Sequence, residues 1–438
     1  MSARRIAYDA LIDITERGAY ANLSLKKALN GSRLEARDRA WVSAMVYTTL
    51  DHLLYLDFLI TRYASGKPQP AIRTILRMGL CQALFMNVPL SAACNESVKL
   101  ARMIGKAALT GYVNAVMREF GRNIDNLPKL PDKVNERLSI QYSYPLFLVD
   151  EYLGLYGEQF TEDLLRAMLS SNYMTIRANP PFTVDELEDE LKLRGVEYER
   201  GSIVPEAIKL RRGLNAAQDP LFVEGKATVQ SESAMLVCKL LSLEPGMHVL
   251  DACAAPGGKT ALISEMMGGE GRITAMDLHA HRLTLMAETF RRLRVNNIEM
   301  LNRDASVPVR EWYGAYDRVL VDAPCSGFGV AGKPDARYTK TDDIIRNIVN
   351  AQWAILNACA HYVKEDGILL YATCTISKRE NEDIARAFME EHPEFAPECG
   401  GLIEERLKSR MKNGMLQLFP NLDNTDGFFI ARMRRRKI

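Results

Sequence analysis

The sequence predicts an α/β protein: a doubly wound, mostly parallel sheet in the C-terminal half, a small α/β module before it, and an all-α domain at the N-terminus. Three observations carry this. From Ser233 onward, strand-like runs alternate with helical ones, the rhythm of a parallel sheet with crossover helices. Residues 1 to about 125 place apolar side chains at helical spacing and contain no period-2 run. Between these regions, prolines at 128, 131 and 145 interrupt the pattern. A chain of 438 residues supports two or three separate cores, and its 47% hydrophobic and 25% charged content excludes wholesale disorder.

The elements follow in order. Ile6, Ala10, Leu11 and Ile14 share one helical face, and Leu23 to Leu29 opens a second helix. Arg37 to Tyr63 reads as one long amphipathic stretch, with Val42, Met45, Val46, Leu50, Leu53 and Leu56 recurring at helical spacing. Ile72–Met86, Ala92–Ile104 and Gly111–Phe120 complete an all-α domain over residues 1–127. Residues 128–144 read as a linker. The module of residues 145–220 begins with two helical patterns and continues with a strand at Met174–Asn179, stopped by Pro180-Pro181. A helix at Val184–Leu193 carries acidic residues in its first turn, where the dipole favours them, and short strands are expected at Val196–Tyr198 and Ala207–Leu210. Leu221–Gly225 leads into the last domain, 221–438. Its strands are expected at His248–Leu250, Arg272–Met276, Ile298–Leu301, Tyr316–Val321, Gly367–Ala372 and Phe428–Met433. Its helices are expected at Lys259–Met267, His281–Leu293, Ile344–Val363 and Glu380–Glu391.

A net charge of +1 hides an asymmetry. Residues 1–130 hold 18 Lys and Arg against 10 Asp and Glu, so the N-terminal part is basic and suited to an anionic partner. Arg4, Arg5, Arg33, Arg37 and Arg39 are candidates for phosphate contacts. Eight cysteines without a CxxC pair argue against a disulfide scaffold or a zinc ribbon, leaving reduced thiols, no metal and a cytoplasmic setting. The N-terminus lacks the apolar stretch of a secretory signal, and no run has the length of a membrane span.

In doubly wound folds, ligands sit beyond the carboxyl ends of the strands. That rule groups Asp251, Asp277, Asp304, Asp322 and Cys374, each of which closely follows a strand. The turn Asp251-Ala-Cys-Ala-Ala-Pro-Gly-Gly-Lys-Thr260 is a near miss for a P-loop, because Cys253 stands where its first glycine belongs. No GxGxxG is present either. A strand end, a glycine turn, a helix start and an acid nineteen residues past Gly258 suit a ribose-bearing cofactor, with S-adenosylmethionine favoured over a nucleotide.

Cys325, in a Pro-Cys turn, and Cys374, in a Thr-Cys turn, both follow strands on this edge. Cys81, Cys94 and Cys359 read as packing residues. Cytosine C5 is a weak nucleophile towards a methyl sulfonium, but a thiolate adding to C6 pushes electron density onto C5. Such an addition needs a base out of its stack and charge management at N3, which Asp322 is placed to provide, protonated or by hydrogen bonding. A free thiol titrates near about 8.5, so a cation or helix start must assist it. Lys259 and the helix beginning near Glu380 are candidates. The residues alone do not say which thiol attacks.

The motifs Asp251 to Thr260, Asp322-Ala-Pro-Cys-Ser-Gly327 and Ala372-Thr-Cys-Thr-Ile-Ser377, with Glu380-Asn381-Glu382, resemble the RNA (cytosine-5) methyltransferases of the NOL/NOP/Sun family. The N-terminal part resembles the antitermination factor NusB, through Arg37-Asp-Arg39, Arg73 to Gln82, Asn95 to Ala101 and Tyr112 to Arg118. The pairing of the two is similar to that of bacterial small-subunit ribosomal RNA methyltransferases. The resemblance implies a Rossmann-like, S-adenosylmethionine-dependent domain acting on a single-stranded or flipped-out cytosine of 16S ribosomal RNA, in a monomer. It implies Cys374 as nucleophile and Cys325 as the group that helps release product. Cys253, Ala254, Ala255, Pro256, Gly257, Gly258, Lys259, Asp277, Asp304 and Asp322 would line the cofactor pocket. Arg177 and Asn179 would contact RNA from the small module. Most members carry an Arg-Arg pair ahead of Pro-Asp; here Ala331-Gly-Lys-Pro-Asp335 is one residue shorter and offers Lys333 alone. Transfer RNA is the alternative substrate, and an RNA-binding module with an inactive methyltransferase platform is the alternative outside the enzyme class.

Overall fold

The protein is described here by a computed structural model covering residues 2–170, 173–211, 213–400 and 405–437. It divides into two units: Met1–Leu169 with Gly332–Thr341, and Ser170–Ala331 with Asp342–Ile438.

The first unit is helical. Ala3–Arg17, Ala36–Asp51, Leu53–Tyr63, Pro70–Phe85, Leu90–Met103 and Thr110–Arg122 enclose a core that includes Leu11, Met45, Leu59, Leu76 and Phe120. The stretch expected to be continuous from Arg37 to Tyr63 breaks at His52. The Ser143 hydroxyl supplies the reason: it accepts from the backbone N–H groups of Leu54 (3.2 Å) and Tyr55 (3.3 Å), serving donors that a new helix start leaves open.

The expected linker is a second departure. Val134–Tyr142 is a helix that buries Leu138 and Tyr142, because the prolines flank it rather than interrupt it. It ends on Ser143 in the left-handed region (φ 56°), with the Tyr144 N–H returning to the Ser139 carbonyl. The helices Leu146–Tyr156 and Glu158–Ser170 continue from it, tied back by Arg137 to Glu158 (3.1 Å) and by the Tyr142 hydroxyl to Glu162 (3.0 Å).

In the second unit, β1 (Met174–Ala178), β2 (Tyr198–Arg200), β3 (Ala207–Leu210) and β4 (Ala227–Val229) form an antiparallel sheet in the order β2-β3-β1-β4. β4 has no sequence signal of its own; three residues are too few to show a period. The helix Val184–Leu193 packs on this sheet and starts with a capping box between Thr183 and Glu186.

The large sheet holds β5 (His248–Asp251), β6 (Arg272–Asp277), β7 (Ile298–Asn302), β8 (Tyr316–Asp322), β9 (Val363–Thr373), β10 (Phe395–Pro397), β11 (Met415–Leu418) and β12 (Phe428–Arg435). Its order is β10-β12-β9-β8-β5-β6-β7, with β11 paired to β12. The strands from β7 to β9 run parallel, and β12 runs antiparallel to β9. Leu250, Val319, Val321, Leu369 and Tyr371 face one core layer, while Val249, Leu320, Leu370 and Ala372 face the other. Burial on both faces explains why these strands read as continuous apolar runs. The chain enters at β5, proceeds outward through β6 and β7, then returns to add β8 and β9 on the other side. The direction of winding therefore reverses between β5 and β8, which opens a crevice at their carboxyl ends.

Candidate active site

The crevice is built from three turns. After β5 the chain is pinned by the Ala252 N–H to the Leu320 carbonyl (2.9 Å) and the Ala254 N–H to the Met276 carbonyl (2.8 Å). Gly257 sits at φ 96°, where an added Cβ would come 2.9 Å from the Phe290 ring, so this corner needs glycine. Gly258 begins the helix Gly258–Met266, and open space lies where its Cβ would be. Asp251 is 1% exposed and accepts from the Thr260 hydroxyl at 2.7 Å; burial pushes its carboxyl up to about 7. Its role here is to brace the turn.

Lys259, one residue into that helix, places Nζ 2.6 Å from Oδ2 of Asp322, the last residue of β8. Burial works against the ammonium, but the Asp322 carboxylate outweighs it and raises Lys259 above its ordinary range. The Cys374 thiol lies near enough to contribute to that rise. This lysine therefore joins the glycine turn to the edge that carries the cysteines. The expected charge-managing carboxyl, Asp322, is an ion-pair partner rather than an isolated acid.

Cys325 and Cys374 meet: their sulfurs are 3.2 Å apart, and both residues are partly exposed. The hydrogen bond between the thiols, and then burial, hold Cys325 well above the usual thiol range. The backbone around them is clamped. The Ala323 N–H bonds the Ala372 carbonyl (2.9 Å), the Gly329 N–H bonds the Cys374 carbonyl (3.1 Å), and the Gly427 N–H bonds the Gly329 carbonyl (2.8 Å). An added Cβ at Gly329 would stand 2.0 Å from the Gly427 carbonyl oxygen.

Sequence reasoning placed Glu380 and Asn381 in a motif and the helix start there beside the thiols, but missed that their side chains hold these turns. Glu380, fully buried, accepts from the Ser326 N–H (2.8 Å) and the Ser326 hydroxyl (2.6 Å); burial raises its carboxyl despite these bonds. Gln352, also fully buried, donates Nε2 to Glu380 (3.2 Å) and to the Pro324 carbonyl (2.9 Å). Asn381 accepts from the Thr373 hydroxyl (2.5 Å) and donates to the Thr375 carbonyl (3.0 Å). For Gln352 the local signal was a glutamine on the buried face of the amphipathic helix Asp342–Ala360.

The remaining candidates are distributed as follows. Asp277 ends β6, is 4% exposed, accepts from the His279 N–H at 3.0 Å and pairs with Arg282 at 3.3 Å. Asp304 is exposed just past β7, and the Ser306 hydroxyl and N–H hold its carboxyl below the usual range. Arg177 and Asn179, expected at an RNA surface, are instead 3% and 2% exposed. Arg177 is bonded to Gln230 (2.6 Å), Asn179 (2.7 Å) and Glu265; Asn179 donates to the Gly225 carbonyl (2.8 Å). Their donors are engaged inside the second unit, so they act as internal struts. Arg37 is exposed and Arg39 donates to the Leu29 carbonyl (2.7 Å), both in the first unit. Lys333 is exposed on the segment Gly332–Thr341, which also belongs to the first unit. Among the described residues no helix is long and apolar enough to cross a membrane.

The chain matches three known families: 16S rRNA methyltransferase RsmB/F over residues 238–434, the NusB family over residues 1–122, and a Methyltr_RsmF/B-like, ferredoxin-like domain over residues 144–217. It is 37% identical to the probable ribosomal RNA small subunit methyltransferase B of Bacillus subtilis (strain 168), over 99% of both chains. It is 30% identical to the ribosomal RNA small subunit methyltransferase B of Vibrio cholerae, over 100% of this chain and 98% of the other. Among solved structures, PH0851 matches with a TM-score of 0.82 at 26% identity, over 99% of both chains. A methyltransferase homolog protein from Pyrococcus horikoshii matches with a TM-score of 0.58 at 26% identity, over 70% of this chain and 100% of that one. Over nearly its whole length, then, the chain belongs to the RsmB/F family of ribosomal RNA small subunit methyltransferases.

Proposed function

We propose that this protein methylates C5 of a cytosine in 16S ribosomal RNA, using S-adenosylmethionine and a transient bond between Cys374 and C6. The observation that carries the reading is the pair of thiols 3.2 Å apart at the carboxyl ends of β8 and β9, beside the Lys259–Asp322 pair. Two adjacent thiols suit two successive tasks on one ring.

The residues present fit the cofactor. Gly257 and Gly258 let backbone approach closely, and Asp277 and Asp304 follow the next two strands, where carboxylates suit ribose hydroxyls. When bound, the cofactor supplies a methyl group on a positively charged sulfur. Cys374, as thiolate, adds to C6 and the C5=C6 electron pair moves onto C5, which takes the methyl. In this reading the Lys259–Asp322 pair manages the charge that builds up around N3 of the ring. With Cys374 bonded to C6, the thiol hydrogen bond that raises Cys325 is gone; Cys325, having lost its own proton to solvent, takes the C5 proton as thiolate, the C5=C6 bond re-forms, and the Cys374 sulfur leaves as thiolate. The chemistry is thus carried by the domain of residues 221–438, its sheet and turns lying in the second unit. The basic helical domain of residues 1–127 grips RNA phosphate, Arg37 among its contacts, so affinity falls with salt.

The test is methyl transfer from labelled S-adenosylmethionine to an unmodified 16S transcript. Cys374→Ala is expected to abolish transfer, and Cys325→Ala to leave a covalent protein–RNA adduct on a denaturing gel. An active Cys374→Ala protein overturns the reading.

A further inference from the structure

The two cysteines are held by neighbouring residues of one short segment, and the division of labour is clean. Glu380 grips the Cys325 turn through the Ser326 N–H and hydroxyl, while Gln352 ties the Pro324 carbonyl to the same carboxylate. Asn381 grips the Cys374 turn through Thr373 and Thr375. Each thiol is therefore flanked on both sides by anchored residues. The Ser326 and Thr375 hydroxyls, 2.8 Å apart, link the two turns to each other. Glu380 and Asn381 are consecutive in the chain, so one short stretch of backbone serves both turns through separate side chains. Tyr371 fixes the segment to β9 by donating its hydroxyl to the Glu380 carbonyl at 2.6 Å.

We propose that Glu380 is a positioning residue for product release, holding Cys325 where it takes the C5 proton, and that Asn381 does the corresponding task for the attack by Cys374. The proposal rests on the covalent mechanism given above. Release requires the Cys325 sulfur to reach the C5 proton so that the electron pair of the C5–H bond re-forms C5=C6 and expels the Cys374 sulfur. A turn displaced by about 1 Å slows such a step by roughly 100-fold. The attack does not use Cys325, so losing the Glu380 grip leaves it largely intact.

The experiment separates the two steps, using the full-length protein, labelled S-adenosylmethionine and an unmodified 16S transcript. Glu380→Ala is expected to lower steady-state turnover by about 10- to 100-fold and to accumulate protein–RNA adduct, with single-turnover methyl transfer within about threefold of wild type. Asn381→Ala is expected to slow single-turnover transfer and to accumulate no adduct. Glu380→Gln, which retains an acceptor for the Ser326 N–H, restores turnover. Should Glu380→Ala not fold, Ser326→Ala removes one of the two bonds and is expected to accumulate adduct to a smaller extent. The proposal is overturned if Glu380→Ala, or Ser326→Ala in its place, slows both steps equally without adduct, or if Glu380→Gln behaves as the alanine variant does. Cys325→Ala run alongside distinguishes the failures: adduct there and none at Glu380→Ala sinks only this inference, whereas an active Cys374→Ala protein sinks the mechanism beneath it.

Discussion

The carboxyl edge of the large sheet and the segment Gly332–Thr341 both bury charge, but they do so with different interactions. At the sheet edge the contacts are short and directional: Lys259 to Asp322 at 2.6 Å, and Ser326 to Glu380 at 2.6 and 2.8 Å. In the segment Gly332–Thr341, Arg337 is 2% exposed, lies 3.8 Å from Asp51 and places its guanidinium 4.2 Å from the centre of the Tyr144 ring. Burial pushes Asp51 up to about 6, with Arg337 opposing, and takes His52 beside it down to about 4. A cation on a ring face is held by the ring's quadrupole within several ångströms of its centre, an attraction that tolerates small displacements. A set of hydrogen bonds fixes position to a fraction of an ångström, the tolerance that bond-making requires. Buried charge alone therefore does not mark a site; directional bonds converging on the neighbours of a reactive group do.

Four substitutions break or sharpen this contrast. The largest effect is expected at Lys259: Lys259→Met should lower methyl transfer by about 100- to 10,000-fold in the labelling assay, since it removes the cation beside both Asp322 and Cys374. A loss of stability with transfer intact would place the sheet-edge pair in the same class as Arg337. Arg337→Met should cost about 3 kcal/mol in a urea titration, because it leaves Asp51 half-buried without its partner. A change below about 0.5 kcal/mol would show the segment to be held by its apolar contacts alone.

Asp251 tests buried charge on the sheet edge itself. Its folded carboxyl near 7 lies above the ordinary value near about 3.9, so between the two the folded protein keeps a proton that the unfolded chain releases. Stability from this group is fully present below about pH 4 and is lost as pH rises through 7. Asp251→Asn should flatten that decline, by on the order of 4 kcal/mol between pH 4 and 7, as read from urea midpoints. An unchanged slope removes the assignment. The smallest effect is expected at Tyr338, whose one hydroxyl proton is shared between the carbonyls of Leu50 (2.9 Å) and Ser143 (2.7 Å). Tyr338→Phe should cost about 1 kcal/mol of stability.

The parallel sheet, the glycine turn and the placement of both cysteines after strands were legible because each is local. Period and punctuation within ten or so residues reveal a strand, and a thiol just beyond its end inherits the ligand edge. His52 and the helix Val134–Tyr142 were not, since a hydroxyl far along the chain breaks the one and prolines at its borders disguised the other. Arg177 and Asn179 show the opposite error. Polar side chains on a strand look available until the packing around Gln230 and Glu265 is known.

By itself the sequence determined the elements, their alternation and the chemical types on the sheet edge, because hydrophobic period and turn chemistry act between near neighbours. Only the tertiary structure decided which groups are partnered. The Lys259–Asp322 pair spans 63 residues and the Glu380–Ser326 grip spans 54, and no local pattern encodes contacts made when distant turns close on one crevice.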